Sequence, residues 1–185
     1  MTTLRTLLIY TIAVAAIGFG WLAVGGLDFA ADAPHSAPVY ALIDFARERS
    51  IDVRAENIQT PPLDDPKMIA EGAEHYGAMC DGCHLAPGKS SDEFRNGLYP
   101  QPPDLVHTAI DSPAEAFWVI KHGIKGSAMP AWGASHDDAT IWAMVAFLRK
   151  LPQLTPEQYK EMTPAGEHED AHDAGAASDH NPTAP

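Results

Sequence analysis

The chain has only two cysteines, and they stand three positions apart in Cys80-Asp81-Gly82-Cys83, followed directly by His84. Two cysteines exclude a multi-disulfide framework, so the pair acts locally. A disulfide across so short a loop adds little, because closing a few residues removes little entropy from the unfolded chain. Half a zinc site, a redox dithiol and covalent attachment of another group remain. Each asks for different surroundings. Zinc wants two further Cys or well-spaced His ligands, and a thioredoxin-like dithiol belongs beside a strand in a βαβ unit.

The surroundings read as helix and loop. Asp65 is placed to cap a helix opening at Pro66 and carrying Met68, Ile69, Gly72, Ala73 and Tyr76 up to the cysteines. Residues 86–108 form a long loop rich in Gly and Pro. Ser112-Pro113-Ala114-Glu115 has the pattern of a capping box, predicting a second helix that ends at Gly123. Ser135 and Asp138, again three apart, introduce a third helix with Ile141, Val145 and Leu148 on its apolar face, stopped by Pro152. Thr155-Pro156-Glu157-Gln158 opens a last short helix. No segment alternates with period two, so the fold class is all-α. Three helices and two long loops make a thin core, which implies that something besides side chains fills the middle.

With no βαβ unit and no second pair of zinc ligands, the spacing Cys80-x-x-Cys83-His84 is that of covalent haem attachment. Two intervening residues place both thiols along one porphyrin edge, where they form thioethers with its vinyl groups. His84 then reaches the iron from one face, and one covalent haem c is the expected cofactor. For the other face the chain offers six methionines. Met1 is the start, Met79 is too close to the motif, Met68 and Met144 lie within helices, and Met162 follows the last core helix. Met129 sits in the small-residue loop Gly126-Ser127-Ala128-Met129-Pro130-Ala131-Trp132, 45 residues beyond His84. His122 is the alternative ligand. A His/Met pair raises the reduction potential and saturates the iron, which suits electron transfer rather than catalysis on a bound substrate.

At the N-terminus, 22 uncharged residues lie between Arg5 and Asp28. As a helix they reach roughly 33 Å, enough for a hydrocarbon core of about 30 Å. The run exceeds the apolar region of a cleaved signal, so residues 1–28 are expected to be a retained transmembrane anchor; the alternative is a signal segment cut after Ala31-Asp32-Ala33, where the following Pro34 makes a poor site. Arg5 precedes it and Asp28 and Asp32 follow, which puts the rest of the chain outside the cytoplasm, in a bacterium the periplasm. Residues 29–64 read as a connector with a short helix over 39–50, and 65–162 as the main domain. Residues 163–185 form an acidic tail without bulky apolar groups, expected to be disordered, whose His168 and His172 are a minor candidate for copper, nickel or zinc.

A formal net charge of −13 argues against a nucleic-acid partner. The charge is uneven: residues 66–152 carry ten acids against seven bases, residues 153–185 seven against one. Lys89, Arg95, Lys121 and Lys125 are candidates for a small basic patch that steers an acidic redox partner. No Ser/His/Asp triad, phosphate loop or paired carboxylates point to a hydrolase, and no small-molecule substrate is expected.

The motif Cys80–His84, the glycine-bearing helix before it, Gly97-Leu-Tyr-Pro-Gln-Pro-Pro-Asp-Leu105, the Met129 loop and the final Ile141–Pro152 segment together resemble a class I c-type cytochrome domain. The variety is similar to bacterial membrane-anchored mono-haem cytochromes, related to the haem domains of cbb3-type oxidase subunits. The resemblance covers roughly residues 66–152. It implies three main helices around a covalent haem, with His84 and Met129 as axial ligands. It implies that Gly72 and Tyr76 meet the last helix near Trp142. It also implies that a proline carbonyl, best Pro103 with Pro87 as substitute, accepts a hydrogen bond from His84. Trp132, beside the Met129 loop, is placed to line the haem pocket. The function implied is one-electron transfer between membrane or periplasmic redox partners. The alternatives are a haem enzyme with an open sixth position, a subunit of a larger oxidase or dehydrogenase, and a non-haem dithiol or metal-binding module.

Overall fold

The uncharged N-terminal run folds as α1, Thr2–Ala23, in a computed structural model that describes residues 2–163. Thr3–Ala23 is long and apolar enough to cross a membrane, with no part of it buried by protein. The helix stops before the apolar run does. Gly25 takes a φ of +78°, and the Gly26 N–H turns back to the Trp21 carbonyl at 2.9 Å. A second helix, α2, spans Ala37–Ala55 and so outruns the expected 39–50 at both ends. Its last turns bury Ile51 and Ala55, and Arg54 donates to the Ser50 carbonyl (3.0 Å) and hydroxyl (2.8 Å). The chain divides into two compact units, one up to Phe45 and one from Ala46 onward, so the division falls within α2.

The second unit is helical and has no strand among the described residues. Helix α3, Pro66–Met79, is capped by Asp65, whose carboxylate accepts from the Lys67 N–H at 2.9 Å. A single turn, α4 (Asp81–His84), follows at once, and the loop after it contains another, α5 (Glu93–Asn96). Helix α6, Pro113–His122, is capped by the Ser112 hydroxyl and closed by Gly123 at a φ of +64°. Helix α7, Asp138–Leu148, takes its cap from Asp137 rather than Ser135. The Asp137 carboxylate accepts from Thr140 N–H at 2.9 Å, while the Ser135 hydroxyl pairs with His136. The chain leaves α7 well before Pro152, which lies in a 3-10 turn at Leu151–Gln153. Helix α8, Pro156–Met162, carries a complete capping box between Thr155 and Gln158.

Helix α7 buries every residue from Ile141 to Leu148, not one face, because α3 and α6 both pack against it. A helix apolar all round belongs in a core. Full burial of a side chain such as Ile141, Val145, Phe147 or Leu151 contributes about 1.5–3 kcal/mol each. The close crossing of α3 and α7 is made by Gly72: a Cβ there would overlap the Ala143 carbonyl and lie 2.9 Å from Phe147 Cβ. Tyr76 packs on Phe147 with ring centroids 5.4 Å apart. The meeting point is thus Ala143 and Phe147, with Ala143 directly beside Trp142 in the chain. The indole of Trp142 points instead to α6, stacked on Phe117 at 4.3 Å.

Candidate functional site

The site begins where α3 ends. Cys80 closes α3 and opens the turn α4, so one bend of backbone presents Cys80, Cys83 and His84 in succession, and both thiols are free. Burial, with Asp81 and Cys83 adding to it, pushes the Cys80 thiol up to about 12. Cys83 is raised as well, chiefly by burial and then by Asp92. Neither is the activated thiolate that a dithiol oxidoreductase uses as its nucleophile.

After His84 the chain leaves the turn through Leu85, at φ 68° and ψ 168°. That region is close to glycine-only and costs of order 1–3 kcal/mol for another residue. The surroundings hold it there. Leu85 is buried, its N–H returns to the Asp81 carbonyl at 2.9 Å, and its carbonyl accepts from the Tyr76 hydroxyl at 2.6 Å. Burial, followed by the nearby Cys80, Tyr159 and Asp81, keeps that phenol well above its ordinary value, so it stays a donor. The sharp exit turns the chain toward the proline loop, where Leu105 N–H reaches the His84 carbonyl at 3.2 Å.

His84 Nδ1 lies 2.9 Å from the Pro103 carbonyl. A carbonyl only accepts, so Nδ1 carries the proton and Nε2 is left with its lone pair, the tautomer that a metal ligand needs. Burial lowers the pKa of this imidazole and the nearby Arg95 guanidinium lowers it further, against the Pro103 bond, which raises it. Pro87, the substitute acceptor, is buried, and the bond goes to Pro103.

Met129 is half-buried against the main core, as are Trp132 and Cys80. Its loop is folded back on α6. Ile124 N–H reaches the Met129 carbonyl at 3.1 Å, and Ser127 Oγ accepts from Met129 N–H at 3.1 Å. A Cβ at Gly123 would lie 2.7 Å from the Met129 carbonyl oxygen, so only glycine lets this loop close. Trp132 opens a 3-10 turn and meets His136 edge-on, with ring centroids 5.6 Å apart. His122 is exposed, with its ring 5.0 Å from that of Trp118.

Of the four basic candidates, Lys89 pairs with Asp92 at 2.5 Å and Lys121 with Asp138 at 2.5 Å. Arg95 turns inward to Gln101 and the Pro102 carbonyl, and Lys125 is exposed. Two of the charges are therefore balanced locally. The tail with His168 and His172 lies outside the described residues. Among the described residues, no three His, Cys, Asp or Glu side chains gather to hold a metal ion.

Sequence reasoning placed Tyr76 at a helix crossing and missed its bond to Leu85. It passed over Tyr159 entirely. Tyr159 on α8 donates to the Asp81 carboxylate at 3.2 Å and packs edge-on against Tyr76 at 6.2 Å. The Thr155–Gln158 capping box signalled the helix but not where it would dock.

A helical domain whose first helix delivers Cys-x-x-Cys-His into a turn, with the last core helix crossing the first at a glycine, has the build of a c-type cytochrome. Residues 67–148 match the family model for cytochrome C oxidase, cbb3-type, subunit III, a similarity that supports reading this segment as a class I c-type cytochrome domain. The match leaves α1, α2 and α8 outside it. No curated protein and no solved structure matches the chain.

Proposed function

We propose that the chain is a membrane-anchored electron carrier whose domain holds one haem c, thioether-bound through Cys80 and Cys83 and ligated by His84 and Met129. The observation that carries this reading is the His84–Pro103 bond: it leaves Nε2 unprotonated on the residue next to two free thiols. A second observation fits a porphyrin, which bears two carboxylates. Arg95 Nε is buried and has no hydrogen-bond partner among the described residues, a donor suited to an anionic group.

A haem held there would supply one-electron chemistry, Fe(III) to Fe(II) and back, with the electron coming from and going to redox partners. The chain's own part is to hold the ligands and keep water away. Pro103 fixes the ring of His84, Tyr76 and Leu85 fix the exit from the motif, and Gly123 lets the Met129 loop close. With His84 and Met129 both holding the iron, the thioether would favour the ferrous state and no position would be open to oxygen or peroxide, which suits electron transfer. Helix α1, long and apolar enough to cross a membrane, supports the membrane attachment in this reading, and the charge order around it favours a periplasmic domain. Its partners are redox proteins, including the other subunits of an oxidase or dehydrogenase if the chain works within such a complex.

The test is a spectrum of the ferric protein matured in cells competent for haem attachment. Low-spin iron with a weak sulfur-to-iron band toward the red is expected, and Met129→Ala should abolish that band and lower the potential. A high-spin ferric spectrum in the unsubstituted protein would point to an open position and hence to a haem enzyme. An intact mass equal to the bare chain would dismiss the cofactor altogether.

A further inference from the structure

The bond between His84 and Pro103 is only as well placed as the loop that carries Pro103. That loop, Tyr99-Pro100-Gln101-Pro102-Pro103, contains three prolines, and proline has no N–H to donate. It therefore has carbonyls to be held by and few donors with which to hold itself. On its C-terminal side, Asp104 provides an anchor: its carboxylate accepts from Val106 N–H at 3.0 Å, His107 N–H at 3.3 Å and His107 Nδ1 at 2.8 Å. On its N-terminal side a side chain from the preceding turn grips it. Arg95, on the turn α5, donates from Nη1 to Gln101 Oε1 at 2.7 Å and from Nη2 to the Pro102 carbonyl at 3.0 Å. The next carbonyl along the chain is the one that receives His84.

Resting on the haem reading above, we propose that Arg95 is the positioning residue of the axial histidine: its fork grips Gln101 and Pro102, and so aims the Pro103 carbonyl at His84 Nδ1. Only a planar guanidinium reaches both acceptors at once, because a lysine ammonium is a point donor on a flexible stem. The carbonyl bond raises the basicity of a ligating imidazole and sets its ring orientation. Arg95 thus acts on the iron through the backbone, without touching it.

The experiment compares Arg95→Lys, Arg95→Gln, Gln101→Ala and Lys89→Gln in the full-length, haem-loaded protein. The readout is the solvent exchange of the His84 Nδ1 proton in the ferrous state, followed by NMR. Both Arg95 variants are expected to speed that exchange at least tenfold, Gln101→Ala to speed it less, and Lys89→Gln to leave it unchanged. Arg95→Lys retains the charge, so the same acceleration in Arg95→Lys and Arg95→Gln separates the fork from simple electrostatics. Exchange within twofold of the unsubstituted protein in both Arg95 variants would overturn the proposal, and so would full rescue by lysine. If the Arg95 variants load no haem, Gln101→Ala and the ring 15N shifts of His84 in the haem-free chain decide it. There, loss of the Nδ1–H tautomer in Arg95→Gln is expected, and an unchanged tautomer would refute the assignment. A bare-chain mass in the unsubstituted protein would sink the haem reading instead, leaving the tautomer measurement as the test of Arg95.

Discussion

The hydroxyl of Tyr76 donates a 2.6 Å hydrogen bond to the carbonyl of Leu85, the residue that follows His84 and the described residue other than glycine with a positive φ. One buried phenol on α3 therefore holds the chain in an unfavourable backbone state where it leaves the attachment motif. Tyr76→Phe keeps the ring packing on Phe147 but leaves a buried carbonyl without its donor. A loss of about 1–3 kcal/mol is expected, measured by denaturant unfolding of the haem-loaded protein. A change below about 0.5 kcal/mol, the range of an ordinary surface substitution, would show that burial and the N–H bond to Asp81 hold Leu85 without the phenol.

Tyr159 reaches the same motif from the other side of the sequence, through Asp81 at 3.2 Å. Tyr159→Phe and Asp81→Asn should each cost about 1–2 kcal/mol, and a double-mutant cycle should give a coupling of at least about 0.5 kcal/mol. Additive losses would mean that α8 packs beside the motif without bracing it.

Gly72 sets how closely α3 approaches α7. Gly72→Ala forces a methyl group into the Ala143 carbonyl, so the two helices must part, at a cost of about 1–3 kcal/mol despite alanine's better helix propensity. Gly97→Ala is the control, since a Cβ there meets nothing nearer than 3.7 Å. Thermal unfolding of the two variants checks the contrast.

Acid should weaken the fold in a defined direction. Asp92 is held below the usual carboxylate range chiefly by its hydrogen bond from Lys89, and Asp137 by the Thr140 N–H. In both cases the folded state binds the proton less tightly than the unfolded chain. The unfolded chain therefore holds more protons as pH falls through about 4, and stability drops with pH there. Asp92→Asn should lose up to about 1 kcal/mol at pH 7, a difference that shrinks as acid protonates the native carboxyl. Melting curves across that range test the sign.

Helix α1 should place the chain in the membrane fraction, resistant to extraction by alkaline carbonate. Deleting residues 1–28 should release a soluble domain whose spectrum is unchanged. Carbonate release of the full-length chain would mean that the apolar run is a removed signal or a weak surface anchor.

Local patterns were enough to locate α1, α3, α6, α7 and α8, because each rests on contiguous signals: an uncharged run, Asp65-Pro66, Ser112-Pro113, the Ser135–Asp138 stretch and Thr155–Gln158, although the cap of α7 falls on Asp137 and not on Ser135. The attachment motif was legible for the same reason, since its chemistry needs its residues only a few positions apart. The α7 surroundings were not, because periodicity reports one apolar face and says nothing of how many neighbours cover a helix.

What the sequence determined by itself is therefore the set of helices, the thiol pair and the histidine beside it. What only the tertiary structure decided is which distant groups meet there: Pro103 on His84, Arg95 on Pro102, Tyr76 on Leu85 and Tyr159 on Asp81. The reason is physical. Helix formation and capping are satisfied within a few residues, whereas a buried donor finds its acceptor only after the chain has closed on itself, and many partners are compatible with the same local pattern until packing selects one.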